Sequence, residues 1–313
     1  MSGDGSERAE PARGGADRLT RLARQVGVAL GEAGVRLRAW RSGVDFWADL
    51  AYVGDRLLGV LRSPRHEVLV TAYEGVVDFG AVVEREVIVF GLLAEAGVPV
   101  PRVHAWYRRR DPNERSWLLC EQVPHEPVET LTPALQLRLG AIAKEIHAIS
   151  TGIAALLPDQ PWPRYLAGRL ADRLRSARRY CPELPVDELL GIAEPLLAGR
   201  SAVQPVLLHL DLRPANLCVR DGQIAAVLDV ANAVAGDPLL ELARIRNYGL
   251  LTSDFQAGYG LSGEWLRDHA RVLDLYELDT AALLTVVAVE EIQDEALHAQ
   301  SRRRLLELSA ALG

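Results

Sequence analysis

Apolar residues recur at helical spacing over residues 17–34 (Leu19, Leu22, Val26, Leu30) and predict an amphipathic helix. The pattern then turns to strand-like runs, VRLRAW, DFWADLAYV and RLLGVLR, the last two joined at a Gly54-Asp55 turn. After Pro64 and a loop, residues 81–96 read as a helix that Gly97, Pro99 and Pro101 stop. Two more strands follow, near RVHAWYR and SWLLCEQV, so the first part of the chain predicts a small, mostly antiparallel sheet carrying a helix. From Pro124 the helical period dominates. Residues 133–149 place Leu135, Leu139, Ile142 and Ile146 on one face, and residues 165–199 continue the pattern with breaks at Pro182 and Pro185. A short strand, VLLHL, leads into DLRPAN, and NLCVR and QIAAVLD form a hairpin about Asp221-Gly222. Asp237-Pro238 supplies an N-cap and a first-turn proline for another helix, and the remainder to Gly313 reads as helices. The expected organisation is α+β: a disordered tail over 1–16, an N-terminal lobe over 17–122 and a helical lobe over 123–313.

Composition removes several functions. The 35 basic and 42 acidic side chains give a net charge of −7, which argues against a general nucleic-acid binder but is compatible with a cationic small molecule. Cys120, Cys181 and Cys218 are far apart and form no CxxC-like pair, so neither a disulfide framework nor a zinc site follows. No apolar run has the length of a membrane span and the first residues carry no apolar signal segment, so the expected location is cytoplasmic, with no membrane partner.

The stretch with chemical content is His209-Leu210-Asp211-Leu212-Arg213-Pro214-Ala215-Asn216, followed by a hairpin that delivers Asp229. Phosphoryl transfer asks a protein for positioning and charge neutralisation. One carboxylate must orient or deprotonate the acceptor hydroxyl, and an amide oxygen and a second carboxylate must hold Mg²⁺ against the nucleotide phosphates. Asp211, Asn216 and Asp229 supply that set.

The segment LLHLDLRPANLCVRDGQIAAVLDVANAVAGDPLLELARI resembles the catalytic core of the aminoglycoside phosphotransferase family, a branch of the protein-kinase-like fold that includes choline and fructosamine kinases. That core reads HGDxxxxN, then an I-D strand, then GDPxxDLA. Here these are His209-Leu210-Asp211 with Asn216, Leu228-Asp229-Val230, and Gly236-Asp237-Pro238 with Glu241-Leu242-Ala243. The resemblance implies a two-lobed kinase-like fold with a small antiparallel-sheet N-lobe and a larger helical C-lobe. It implies ATP or GTP as co-substrate with Mg²⁺, and a small-molecule hydroxyl as acceptor. Asp211 takes the catalytic role, with Asn216 and Asp229 as metal ligands. His209 braces the catalytic loop, and Asp237 caps its helix and pins that loop.

Upstream, VLRSP lies where the family has the strand whose lysine holds the α- and β-phosphates. The chain's single lysine, Lys144, is elsewhere, so Arg62 takes that part with Glu86 as its partner. WLLCEQVPHEP resembles the hinge, whose backbone at Glu121, Gln122 and Val123 would meet the base. The chain also has Leu210 in place of the family glycine, and Arg41-Ser42-Gly43-Val44 is the nearest candidate for a phosphate loop.

The expected function is a kinase acting on an aminoglycoside-like antibiotic or related hydroxylated metabolite. The alternatives are a housekeeping kinase for choline, a sugar or an amino alcohol, and a nucleotide-binding pseudokinase. His147 reads as a satisfied half-buried histidine. Glu290, Glu291, Asp294 and Glu295 lie at helical spacing and read first as a solvated face.

Overall fold

The computed structural model describes residues 12–313 and divides into two compact units. The first holds the described residues up to Leu69 together with Asp78–Val87 and Pro101–Gln122. The second holds Val70–Val77, Ile88–Val100 and Val123–Gly313.

The first unit is built on a five-stranded antiparallel sheet of β1 (Val35–Ser42), β2 (Phe46–Val53), β3 (Arg56–Pro64), β6 (Val103–Tyr107) and β7 (Trp117–Cys120), in the order β1-β2-β3-β7-β6. Helix α1 (Ala12–Leu30) lays Leu22 and Val26 on the sheet against Ala51, Leu61, Trp117 and Leu119. The same helix buries Arg18 in a two-bond ion pair with Asp49, at 2.6 and 3.1 Å. It starts at Ala12, inside the stretch expected as a tail, because a first helical turn needs no apolar stripe. The rest of that expected tail, residues 1–11, lies outside the described residues.

The stretch after Pro64, expected as a loop, forms a hairpin, β4 (Val68–Thr71) and β5 (Gly75–Asp78), ahead of α2 (Phe79–Glu95). Val68, Val70 and Val76 are exposed, so the hairpin shows no apolar-in, polar-out contrast to read. Its tip belongs to the second unit, where Glu74 pairs with Arg173 at 2.9 Å and the Tyr73 hydroxyl donates to Glu291.

The second unit is mainly helical. It comprises α3 (Pro133–His147), α4 (Trp162–Ala177), α5 (Val186–Ala198), then β8 (Val206–Leu208), β9 (Leu217–Arg220), β10 (Gln223–Val227) and β11 (Val234–Gly236), and finally α6 (Pro238–Asn247), α7 (Ser253–Tyr259), α8 (Gly263–Asp268), α9 (Ala270–Val287) and α10 (Glu295–Leu312). Strand β11, too short to show a period, was not expected. It pairs antiparallel with β8, Gly236 opposite Val206 and Val234 opposite Leu208, so α6 starts beside the entry to β8 and runs back toward the loop that leaves it, whose His209 and Leu210 N–H groups its Glu241 meets. The late acidic run does not form one helical face. A π-helical turn, Ala288–Ile292, ends at Gln293 with φ 59°, and Asp294 caps α10. Glu290 meets Arg179 and Tyr180, and Glu291 meets Tyr73. Among the described residues, no helix is long and apolar enough to cross a membrane.

Candidate active site

The β8–β11 ladder holds both ends of the site. The loop leaves β8 at His209, closes in a 3₁₀ turn at Pro214–Asn216 and enters the β9–β10 hairpin. Asp211 and Asn216 are both buried. The Asp211 carboxylate accepts three bonds: Arg213 Nε and the Tyr248 hydroxyl at Oδ1, both 2.9 Å, and Asn216 Nδ2 at Oδ2, 2.6 Å. Burial pushes the Tyr248 phenol up to about 12, with Arg244 opposing and Asp211 adding to the rise, so it stays a donor. Burial works against the charge of Arg213, but Asp211 and Tyr248 outweigh it and hold the guanidinium protonated. Asn216 donates again to the Asp211 carbonyl at 2.9 Å. Both bonds use Nδ2, so neither occupies its amide oxygen.

His209 ties this loop to the hairpin. Its Nδ1 accepts the Asp211 N–H at 3.2 Å, so its proton sits on Nε2, which donates to the Leu228 carbonyl at 3.0 Å. The Leu228 N–H donates to the Asn216 carbonyl at 2.8 Å. With both backbone groups of Leu228 held, Asp229 follows in a left-handed conformation, φ 57°, which aspartate tolerates better than most residues. Leu210 also sits at positive φ, 65°, and this accounts for the glycine that the resemblance places there.

Helix α6 keeps Leu210 in that conformation. The fully buried Glu241 accepts the His209 N–H at 2.9 Å and the Leu210 N–H at 2.7 Å, while Arg244 donates to the Leu210 carbonyl. Burial alone would raise the proton affinity of Glu241. The hydrogen bonds from His147 and from the His209 N–H outweigh it and hold the carboxyl below the ordinary range. Its stabilisation is therefore present above its unfolded value of about 4.3 and is lost as the pH falls through the lower folded value. Glu241→Gln is expected to flatten the acid limb of the stability curve, after its pH-independent cost is subtracted. Urea melts across that range check this, and an acid limb of unchanged slope would count against it.

Asp237 caps α6 by accepting the Leu239 N–H at 3.1 Å. Its other bonds come from Arg200, at 2.7 and 3.0 Å, and from the Tyr276 hydroxyl at 3.0 Å. The expectation that Asp237 pins the catalytic loop is corrected: the anchor is one helical turn further on, at Glu241.

In the first unit, Arg62 on β3 forms an ion pair with the fully buried Glu86 of α2 and stacks 4.8 Å over the Phe46 ring. At the expected hinge, the Glu121 N–H donates to the Arg102 carbonyl at 2.8 Å, and the His125 Nδ1 lies 2.9 Å from the Val123 carbonyl. Glu121 therefore has no N–H to give a base, and its backbone could meet one only through its carbonyl. Of Arg41–Val44, the first two residues end β1 opposite Ala48 and Trp47, and Gly43 and Val44 enter the turn to β2, closed by a 2.8 Å bond from the Gly43 N–H to the Phe46 carbonyl.

Residues 80–275 match the model of the phosphotransferase enzyme family. The chain belongs to that family. Its fold is similar to solved phosphotransferase structures. A mutant of aminoglycoside 2′-phosphotransferase-IIIa in complex with GDP superposes with a TM-score of 0.68 at 16% identity, over 94% of this chain and 98% of that one. A candidate fructosamine-3-kinase from Haemophilus somnus gives 0.66 at 13% identity, over 92% and 97%. A ternary complex of an aminoglycoside phosphotransferase APH(4)-Ia mutant with ADP and hygromycin B gives 0.63 at 17%, over 93% and 98%. No curated protein matches the chain. The architecture is thus the kinase-like α+β fold, and the protein is a phosphotransferase.

The loop from His209 to Asn216 has partners to which the sequence motif assigned no role, Arg213 and Glu241 within it and Tyr248 and Arg244 beyond it. Glu241, Arg244 and Tyr248 recur at i, i+3 and i+7, on one side of α6 and its C-cap. That spacing is the signal that could have found them. Among the described residues, no three His, Cys, Asp or Glu side chains cluster as a metal cage. The oxygens of Asn216 and Asp229 are hard donors, the kind that suit Mg²⁺ held mostly by phosphate and water.

Proposed function

We propose that the protein transfers the γ-phosphoryl group of ATP or GTP to a hydroxyl of a small molecule, an aminoglycoside-like antibiotic being the first candidate. The observation that carries this reading is the Asp211 carboxylate, fixed by Arg213, Tyr248 and Asn216. A carboxylate held at both oxygens is pre-organised to orient an acceptor hydroxyl and take its proton. Asn216 and Asp229 hold Mg²⁺, which when bound neutralises charge on the phosphates. Arg62, oriented by Glu86, binds the nucleotide phosphates through its planar guanidinium.

The bound GDP and ADP of the similar structures support a nucleotide co-substrate, and hygromycin B beside ADP supports an antibiotic acceptor. Likeness to a candidate fructosamine-3-kinase favours a second acceptor class, hydroxylated metabolites.

The deciding experiment measures nucleoside-diphosphate release from ATP and GTP with Mg²⁺ across aminoglycosides, other hydroxylated antibiotics, amino alcohols and sugar amines. Acceptor-dependent release names the class. With no release for any acceptor, Mg²⁺-dependent nucleotide binding would mean that the panel lacks the acceptor, and its absence would favour the pseudokinase reading.

A further inference from the structure

The anchor Glu241 is itself held from behind. His147, the last residue of α3, places Nε2 3.0 Å from Glu241 Oε2, and its Nδ1 lies 2.7 Å from the hydroxyl of Tyr259, the last residue of α7. Directions follow from what each group can do. Glu241 already accepts two backbone N–H groups and is ionised, so His147 donates to it from Nε2. Burial, with the nearby charges of Glu241 and Asp237, pushes the Tyr259 phenol well above its usual range. It remains a donor to Nδ1, and a neutral His147 is satisfied at both nitrogens. The two rings meet edge to face, with centroids 5.5 Å apart.

This juxtaposition depends on two glycines. A Cβ on Gly140 of α3 would lie 2.1 Å from the Phe255 carbonyl oxygen, and one on Gly258 of α7 would lie 1.9 Å from that of Leu137. The helices therefore touch backbone to backbone, which brings the end of α7 to the end of α3.

An ordinary buried histidine needs only some partner. The partner of His147 is the carboxylate that fixes the residue before Asp211, with Leu210 in a conformation it would otherwise avoid. We infer that His147, backed by Tyr259, is a positioning residue for phosphoryl transfer. It orients Glu241 so that both carboxylate oxygens grip the His209 and Leu210 N–H groups and thereby fix Asp211. This inference rests on the kinase reading above, and it adds a tier of residues that touch neither nucleotide nor acceptor.

The test compares wild type with His147→Phe, His147→Gln and Tyr259→Phe, using the acceptor that the panel identifies, or intrinsic ATP and GTP hydrolysis if none does. His147→Phe is expected to keep Mg²⁺-dependent thermal stabilisation by nucleotide and a nucleotide KM close to wild type. Its kcat falls by about 10–100-fold, the effect of misplacing a catalytic group. Amide hydrogen exchange at His209 and Leu210 accelerates while α9 stays protected. His147→Gln, whose amide can still donate to Glu241, recovers most of both. Tyr259→Phe moves both in the same direction by a smaller factor, and serves if His147→Phe fails to fold.

Unchanged exchange at His209 and Leu210, or an unchanged kcat, overturns the positioning role. Wild type without Mg²⁺-dependent nucleotide binding overturns the kinase reading, and with it the catalytic part of this one. The exchange data then still report separately whether His147 holds the loop.

Discussion

Replacing Asp211 by asparagine is expected to lower kcat by about 10²–10⁴, the loss that follows removal of a general base. Nucleotide affinity should change little, because the substitution keeps the size of the side chain and leaves Asp229 untouched. The carboxylate accepts at both oxygens, from Arg213 and Tyr248 on one side and Asn216 on the other. An amide accepts at one oxygen only. If that oxygen stays with Arg213 and Tyr248, the new NH₂ faces the Asn216 NH₂, donor against donor. The cost of such a clash is about 1–3 kcal/mol, within reach of a thermal melt. Asn216 retains its bond to the residue 211 carbonyl, so the loop keeps its path. The measurement is kcat and nucleotide KM side by side, with a melt of each protein. Turnover equal to wild type would remove Asp211 from the chemistry, whereas a collapse of nucleotide binding would show that the variant had disturbed the metal ligands instead.

What was legible in the sequence was local. The Asp221-Gly222 hairpin and the Asp237-Pro238 cap are fixed by turn chemistry within a few residues, and the folded chain forms both. Some motif letters acquire reasons only in three dimensions. Gly236 must be glycine because the Trp162 ring would lie 2.1 Å from its Cβ. Leu210 shows that the neighbouring glycine preference concerns a left-handed φ, which Glu241 and Arg244 can impose on a larger residue from outside.

The partners of the loop were harder to read because they come from distant sequence. Tyr248 and Glu241 reach it across 30 or more residues, and His147 reaches Glu241 from α3. The late acidic run misled for another reason. Its spacing is helical, but Gln293 turns to positive φ and splits the run between a π-helical turn and the cap of α10. Periodicity cannot register one residue that reverses its φ.

Loss of Asp229 should act on a different quantity, nucleotide binding. In wild type, nucleotide at about 100 times its Kd with Mg²⁺ is expected to stabilise the fold by about 2.7 kcal/mol through mass action, and chelating the metal should remove most of that gain. Asp229→Ala is expected to melt at the same temperature with or without Mg²⁺-nucleotide. Alanine at φ 57° also carries backbone strain of about 1–2 kcal/mol, so its apo melting point should fall below that of wild type. Asp229→Asn separates the two effects. Asparagine tolerates the left-handed conformation and keeps the shape, but it lacks the charge that a hard divalent cation requires. It should melt like wild type when apo and still gain nothing from Mg²⁺-nucleotide. Because Leu228 is held through both its backbone groups, by Asn216 and by His209, neither variant should displace the hairpin. A full Mg²⁺-dependent shift in Asp229→Asn would mean that the cation takes its protein ligands elsewhere, and Asn216 alone could not then carry the metal half of the site.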